Sequence, residues 1–282
     1  MTRGAPRPVP GWEIAITDPI ITRTTLAALD EAAIAPAFNT VYEGYMRPLV
    51  MGSAQMTAHI RNNDVALDLS PLWFDAEGGL VGLGLVGLRG RRAWIGGFGV
   101  AMAWRGRGLA LPLVADCLDS ARAAGATEVE LEVLVGNDKA KRTYERVGFH
   151  ETNRLVSVRG DLPAGGRPAA QADAPHLLGQ PLRATCWQRS APSLARIAGL
   201  EAVALDDAFL LYTRADDAIT IRHLAAEDAT VIAALLAATG ARTASLANEP
   251  QGSPALAGLL MLGFEPFVEQ HQMRMPLRRA PI

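Results

Sequence analysis

Cysteine and lysine are scarce in this chain of 282 residues: two cysteines, Cys117 and Cys186, and two lysines, Lys139 and Lys141. The cysteines lie in different halves with no metal-ligand spacing, which argues against a disulfide framework or a zinc site and fits inert, buried thiols in a reducing compartment. The five histidines are scattered singly, and neither a Walker loop nor a Gly-x-Ser-x-Gly elbow is present. An excess of either charge is also missing: 27 basic against 29 acidic residues gives a net charge of −2. Nothing in that balance marks nucleic acid or an anionic membrane as a partner. No apolar run approaches a membrane span, and Met1 to Gly11 is rich in Pro and Arg without an apolar core. A soluble, cytoplasmic protein is expected, with no metal.

The length suits two domains, each large enough to bury a core. A short strand is expected at Trp12 to Thr17, a helix over Thr25 to Tyr45 and another over Ser53 to Arg61. Val65–Phe74, Leu80–Leu88 and Ala93–Met102 then read as a meander of three strands. A helix from Leu109 to Ala124 carries one apolar stripe and is stopped by Gly125; a strand from Thr127 to Val135, a helix capped by Asn137 and a strand from His150 to Val158 follow. Residues 162–181, rich in Pro, Ala and Gly, read as a linker between residues 1–161 and residues 182–282. In the second part strands are expected at Ala208–Arg214, Ala218–Leu224 and Thr243–Leu246, with helices at Glu227–Thr239 and Leu256–Met261 and a last strand.

Two segments carry chemistry. Trp104-Arg105-Gly106-Arg107-Gly108-Leu109-Ala110 leaves a glycine-rich strand and opens a helix, so its free backbone N–H groups suit an anion, most plausibly a pyrophosphate. Downstream, Asn137, Ala140, Tyr144 and Gly148-Phe149 form a short helix with its cap and its stop. Gly82-Leu83-Gly84-Leu85-Val86-Gly87 matches the dinucleotide fingerprint in letters, but its glycines lie inside a strand pattern and open no helix.

The pattern Arg-x-x-Gly-x-Ala at Arg105–Ala110, with Asn137, Ala140, Tyr144, Gly148 and Phe149 in order, resembles the GNAT superfamily of N-acetyltransferases. The resemblance covers roughly Thr24 to Asp161. It implies an α/β (α+β) fold, a mixed central sheet flanked by helices, and acetyl-CoA as cosubstrate. In the family, Arg105, Gly106, Arg107, Gly108, Leu109 and Ala110 would cradle the pyrophosphate, and the strand at Phe98, Gly99 and Val100 would meet the pantetheine arm and the thioester oxygen. Asn137 completes that set. Lys141, beside Lys139 on the first turn of the helix, would serve the phosphates or be merely solvated.

Tyr144 lies two helical turns below Asn137 and is the candidate general acid, since a phenol is protonated at neutral pH and can donate to a departing thiolate. Leu131-Glu132-Val133 resembles the segment of ribosomal-protein N-terminal acetyltransferases in which the Glu is the base. The alternative is that Glu128, Glu130 and Glu132 together form a solvated or salt-bridged face. Phe38, Tyr42, Tyr45 and Met46 are candidate walls for the acceptor, or core. The acceptor is an amine on a small molecule or a peptide, and a homodimer is left open.

The end of the chain echoes the motif loosely: Asn248-Glu249-Pro250, a helix, then Gly263-Phe264. No Arg-x-x-Gly loop accompanies it, and Leu259 stands where the first half has Tyr144. A smaller, degenerate GNAT-like second domain is therefore expected, with one cofactor site per chain. The rival reading is a non-catalytic acyl-CoA-binding or interaction module.

Overall fold

The structure is a computed structural model, and it describes residues 21–163, 169–183 and 185–277. The strand expected at Trp12 to Thr17 lies outside the described residues. Chain order runs β1 (Thr22–Thr25), α1 (Glu31–Tyr42), α2 (Ser53–Asn62), β2 (Pro71–Phe74), β3 (Leu80–Arg89), β4 (Arg92–Val100), α3 (Ala110–Ala123), β5 (Glu128–Leu134), α4 (Asp138–Val147) and β6 (His150–Asp161). It continues with β7 (Ala170–Gln171), α5 (Ala174–Leu178), α6 (Ala191–Leu194), β8 (Leu200–Leu205), β9 (Ala208–Ala215), β10 (Ala218–Ala225), α7 (Ala229–Ala238), β11 (Thr243–Pro250), α8 (Pro254–Met261) and β12 (Glu265–Pro276).

Most periodic segments form the elements their patterns predict. The first long helix is shorter than expected: Asp30 precedes it in an extended conformation, and residues 25–29 are a strand end and a 3-10 turn. Val65–Phe74 is a strand only from Pro71; Leu67–Leu69 is a 3-10 turn. The linker contains β7 and α5, and β8 follows it.

All twelve strands form one sheet in the order β1-β2-β3-β4-β5-β12-β6-β11-β10-β9-β8-β7. The succession β2-β3-β4-α3-β5-α4-β6 is repeated as β8-β9-β10-α7-β11-α8-β12. The closing strands are exchanged. β12 pairs with β5 from Gln270↔Leu134 to Pro276↔Glu128, and β6 pairs with β11 from Leu155↔Pro250 to Asp161↔Thr243. Met273 and Met275 of β12 are buried among Val114, Leu131 and Phe149 of the first half. Val156 and Val158 of β6 are buried among Leu235, Leu246 and Phe264 of the second. The boundary at residue 161 thus divides the sequence and not the sheet, because each half's core contains a strand of the other.

The repeat extends to the helix ends. Gly148 and Gly263 both take positive φ, 109° and 85°, which the tight reversal after each helix requires and which a side chain would strain. In both, the next amide bonds back five residues, Phe149 N–H to the Tyr144 carbonyl and Phe264 N–H to that of Leu259, each 3.1 Å. Tyr144 and Leu259 therefore occupy corresponding positions. Asn248 does not cap the second helix. It sits at φ 56° where β11 bulges against β6, and Ser253 caps α8 by accepting from the Leu256 amide at 3.0 Å.

Candidate active site

β4 and β5 pair in parallel over only four residues, Arg92↔Glu128 to Ile95↔Leu131. Beyond Ile95 the register of β4 against β3 shifts, and β4 leaves its neighbour. β5 stays paired with β12 as far as Leu134. The gap is a cleft of about 940 Å³, walled by Gly96–Val100 on one side and Glu132–Leu134 on the other, closed by the loop at residues 104–110 and the start of α4. Gly97 and Gly99 do not open this cleft, as their missing side chains make room for Phe38 and Val41 of α1. What the cleft receives from β4 is an unpaired strand edge.

At one end lies the loop before α3. Gly106 and Gly108 have φ of 81° and 77°, left-handed values that favour glycine. The amides of residues 107–110 donate to no described carbonyl or side chain, and the helix that starts at Ala110 has no side-chain cap. An anion fits such a cluster of unpaired donors at a helix N-terminus. Arg105 serves differently from its expected role: its guanidinium donates to the carbonyls of Val100 (3.0 Å), Val41 (2.9 Å) and Glu43 (2.7 Å), so it ties the loop to the end of α1. Arg107 lies over the Trp104 ring at 4.5 Å. Lys141 is turned away into ion pairs with Glu151 (2.8 Å) and Glu145 (3.9 Å), whereas Lys139, two residues earlier and so about half a turn round the helix, lines the cleft.

α4 delivers the next groups. Asn137 caps it, accepting from the Ala140 amide at 3.3 Å and donating to the Tyr45 hydroxyl at 3.3 Å. Tyr144 reaches the cleft, edge-on to Phe98 (5.9 Å) and Phe149 (5.8 Å). Burial raises its phenol well above the usual value near 10, with the neighbouring Tyr42 and Tyr45 phenols adding to the rise. It keeps its proton across the physiological range and so can act as a donor and not as a base. Across from it, the Phe98 amide donates to the Tyr42 hydroxyl at 3.1 Å, and burial pushes Tyr42 up to about 12. That hydroxyl accepts from the strand and retains its own proton for a further acceptor.

The three glutamates of β5 part company. Glu128 and Glu130 are the salt-bridged face: Glu130, almost fully buried, meets Arg92 at 2.9 Å and Arg274 at 3.3 Å, and Glu128 lies 3.6 Å and 3.9 Å from the same two arginines. Glu132 makes no ion pair among the described residues. Its Oε2 accepts from the Trp94 indole at 2.8 Å, and its buried Oε1 has no hydrogen-bond partner. Burial lifts it to about 7, opposed mainly by the Trp94 hydrogen bond and reinforced by the Glu130 charge. A carboxylate of that kind is half-deprotonated near neutrality, as a general base requires.

The far wall comes from both halves. Tyr42, Tyr45, Met46, Arg47 and Leu49 line it, with Gln270 of β12 and Gln188. Phe38 does not; it is core, stacked on Tyr42 at 4.4 Å. Of the two lysines noted on the first turn of the helix, helical phase could have picked out Lys139, but Gln188 and Gln270 were not singled out and nothing in the sequence signals them.

Residues 38–149 match the model of the acetyltransferase (GNAT) family. Over those residues the chain is similar to the GNAT family. Over 69 residues, 24% of the chain, it is 34% identical to the uncharacterized N-acetyltransferase YycN of Bacillus subtilis, and the match spans 44% of that relative's length. Along 93% of its length the chain is similar in fold to the GCN5-related N-acetyltransferase from Sphaerobacter thermophilus, with a TM-score of 0.67 and 15% identity over 97% of that chain. It is likewise similar to the tandem GNAT protein from the clavulanic acid biosynthesis pathway, with a TM-score of 0.62 and 15% identity over 93% of this chain and all of the other. Of the residues expected at the site, Arg107 and Lys141 are the two that do not line the cleft.

Proposed function

We propose that the chain is an acetyl-CoA-dependent N-acetyltransferase that passes an acetyl group to a primary amine by direct attack on the thioester. The observation that carries the reading is the single cleft that joins unpaired loop amides at one end to Glu132 and Tyr144 at the other. The amides of residues 107–110, with Lys139, would hold the pyrophosphate. The free edge of β4 would take the pantetheine arm as an added strand takes a sheet edge, and the Tyr42 hydroxyl would donate to the thioester oxygen as charge develops there. Glu132, deprotonated above about pH 7, takes a proton from the ammonium so that the nitrogen lone pair is free to attack. The new C–N bond forms as the C–S bond breaks, and Tyr144 supplies the proton that leaves CoA as a thiol.

Tyr144→Phe keeps the ring contacts and removes only the donor. Thiol release from acetyl-CoA with a panel of primary amines should fall by about 10²- to 10⁴-fold in this variant, with CoA affinity little changed. Undiminished turnover would return Tyr144 to packing. CoA binding without thiol release on any amine, in the unaltered protein, would favour the binding-module reading.

A further inference from the structure

In the second half β10 and β11 repeat the four-residue parallel pairing, Ala218↔Thr243 to Ile221↔Leu246, and a cleft of about 340 Å³ opens beyond it. The wall of this counterpart of the active cleft includes a side chain that is tied down on all sides. Arg189, buried at 7% exposure, forms an ion pair with buried Glu249. It also donates to the carbonyls of Arg222 (3.1 Å), Ala247 (3.3 Å) and Asn248 (3.3 Å). Four bonds on one guanidinium make a rigid anchor.

The two residues before it reach the other way. Trp187 stacks on Trp94 of β4, with ring centroids 6.0 Å apart and planes within 7°, and donates its indole N–H to the Asn63 carbonyl at 2.8 Å. Gln188 lines the active cleft beside Glu132, close enough that its side-chain amide favours the carboxylate form. Oε1 of Gln188 and Oε1 of Glu132 are both buried without a hydrogen-bond partner. Cys186 and Thr185 precede this turn, and the Thr185 carbonyl accepts from Gln272 of β12 at 3.2 Å.

We propose that the turn Trp187-Gln188-Arg189 is a positioning device for the reaction: Gln188 orients the Glu132 carboxylate in the first cleft while Arg189, seated in the second, holds the turn in place. The second half therefore acts on catalysis through three consecutive side chains, and the wall of its own cleft carries their anchor. The inference rests on the reading of Glu132 as base. It explains why Trp94, the partner of Glu132, is stacked on the turn. Trp94 and Gln188 would then constrain the carboxylate from two sides, leaving Oε1 for the amine or a water that relays its proton.

The other charged and titratable groups around Glu132 are Glu130 on its own strand, Arg274 on β12, Arg92 through its pair with Glu130, and the buried thiol of Cys186. None of them is altered by replacing Gln188. Gln188→Leu removes the group that favours the charged carboxylate, so the acid limb of the rate profile, kcat/KM against pH, should move to higher pH. A shift of one unit would appear as about a tenfold loss below the limb that recovers above it, with KM for acetyl-CoA unchanged. Gln188→Glu, which adds a like charge at the same place, should move the limb in the same direction and serves if the leucine variant does not fold. Replacing the anchor pair together, Arg189→Met with Glu249→Leu, avoids leaving a lone buried charge and should reproduce the shift.

Glu132→Gln separates the two claims. Loss of the limb in that variant establishes the base; retention of the limb overturns the base and the inference with it. If the limb is lost in Glu132→Gln but its midpoint is unmoved in the Gln188 variants, or if their rates fall equally at every pH, the turn is structural only and the inference is overturned.

Discussion

At the residue scale, Glu132 is distinguished from its two neighbours by what it lacks. Glu130 is deeper but is met by two arginines, whereas Glu132 has an indole and a buried oxygen without a partner. Its rise from 4.5 to about 7 has a consequence for stability. A carboxyl whose value is raised by folding contributes stability below its unfolded value, near 4.5, and loses it as the pH rises through about 7. Glutamine mimics the protonated form and keeps the acceptor for Trp94. Urea denaturation should show Glu132→Gln matching the unaltered protein near pH 4.5 and exceeding it at pH 8 by up to about 3 kcal/mol. A difference that does not grow with pH would mean that the carboxylate is already charged in the fold near pH 4.5. The strand motif made Glu132 a candidate, but its alternative as part of a salt-bridged face was equally legible, because the arginine that settles Glu130 comes from β12, far along the chain.

At the scale of elements, the strand–loop–helix order of the first half could be read from periodicity, because the apolar stripes, the Gly125 stop and the Asn137 cap are local signals. Side-chain destinations could not. Arg105 occupies the motif position yet spends its donors on carbonyls of α1 and β4, and its partners there carry no sequence signature. Asn248 echoes Asn137 in sequence, but the cap of α8 is Ser253, since β11 runs on through Asn248 to Pro250 before the helix begins. The two lysines of α4 give a direct test of the loop end. Lys139→Ala should weaken CoA binding by about two- to fivefold and flatten its salt dependence, and Lys141→Ala should change neither. Gly108→Glu forces a left-handed φ of 77° on a side chain and adds like charge, and should abolish measurable binding in calorimetry while Gly108→Ala, with the strain alone, loses less. Equal affinity in Gly108→Glu with the fold intact would remove the cradle from the loop.

At the scale of the whole molecule, the echo at the end of the chain was visible in Gly263-Phe264, but the exchange of β6 and β12 was not, because strand order across a sheet leaves no local mark in a sequence. Its consequence is that neither half has a complete core alone. A chain ended after Asp161 would leave the β5 edge unpaired and the sites of Met273 and Met275 empty, and it should be insoluble when made alone. Supplied together, residues 1–161 and 162–282 should be recovered as a soluble pair. A soluble first fragment with full activity on the same amine would show that β12 is dispensable. Titration of the intact protein should give one CoA per chain, since the second cleft is much smaller than the first and no Arg-x-x-Gly loop accompanies it; two equivalents would contradict that assignment.

The strand exchange also sets an order in time. β5 ends at Leu134, but the strand that must lie beside it begins at Glu265, so during synthesis the first half waits with an open edge until nearly all the described chain has emerged. Closure of its core is then a long-range event, slow to find and exposed to misassociation in the interval. A ribosome that stops early releases a polypeptide with the loop at residues 104–110, Glu132 and Tyr144, yet without the strand that holds β5 in place. Completion of the first half's sheet is thereby tied to synthesis of β12, and fragments that stop before it carry an open β5 edge prone to aggregation.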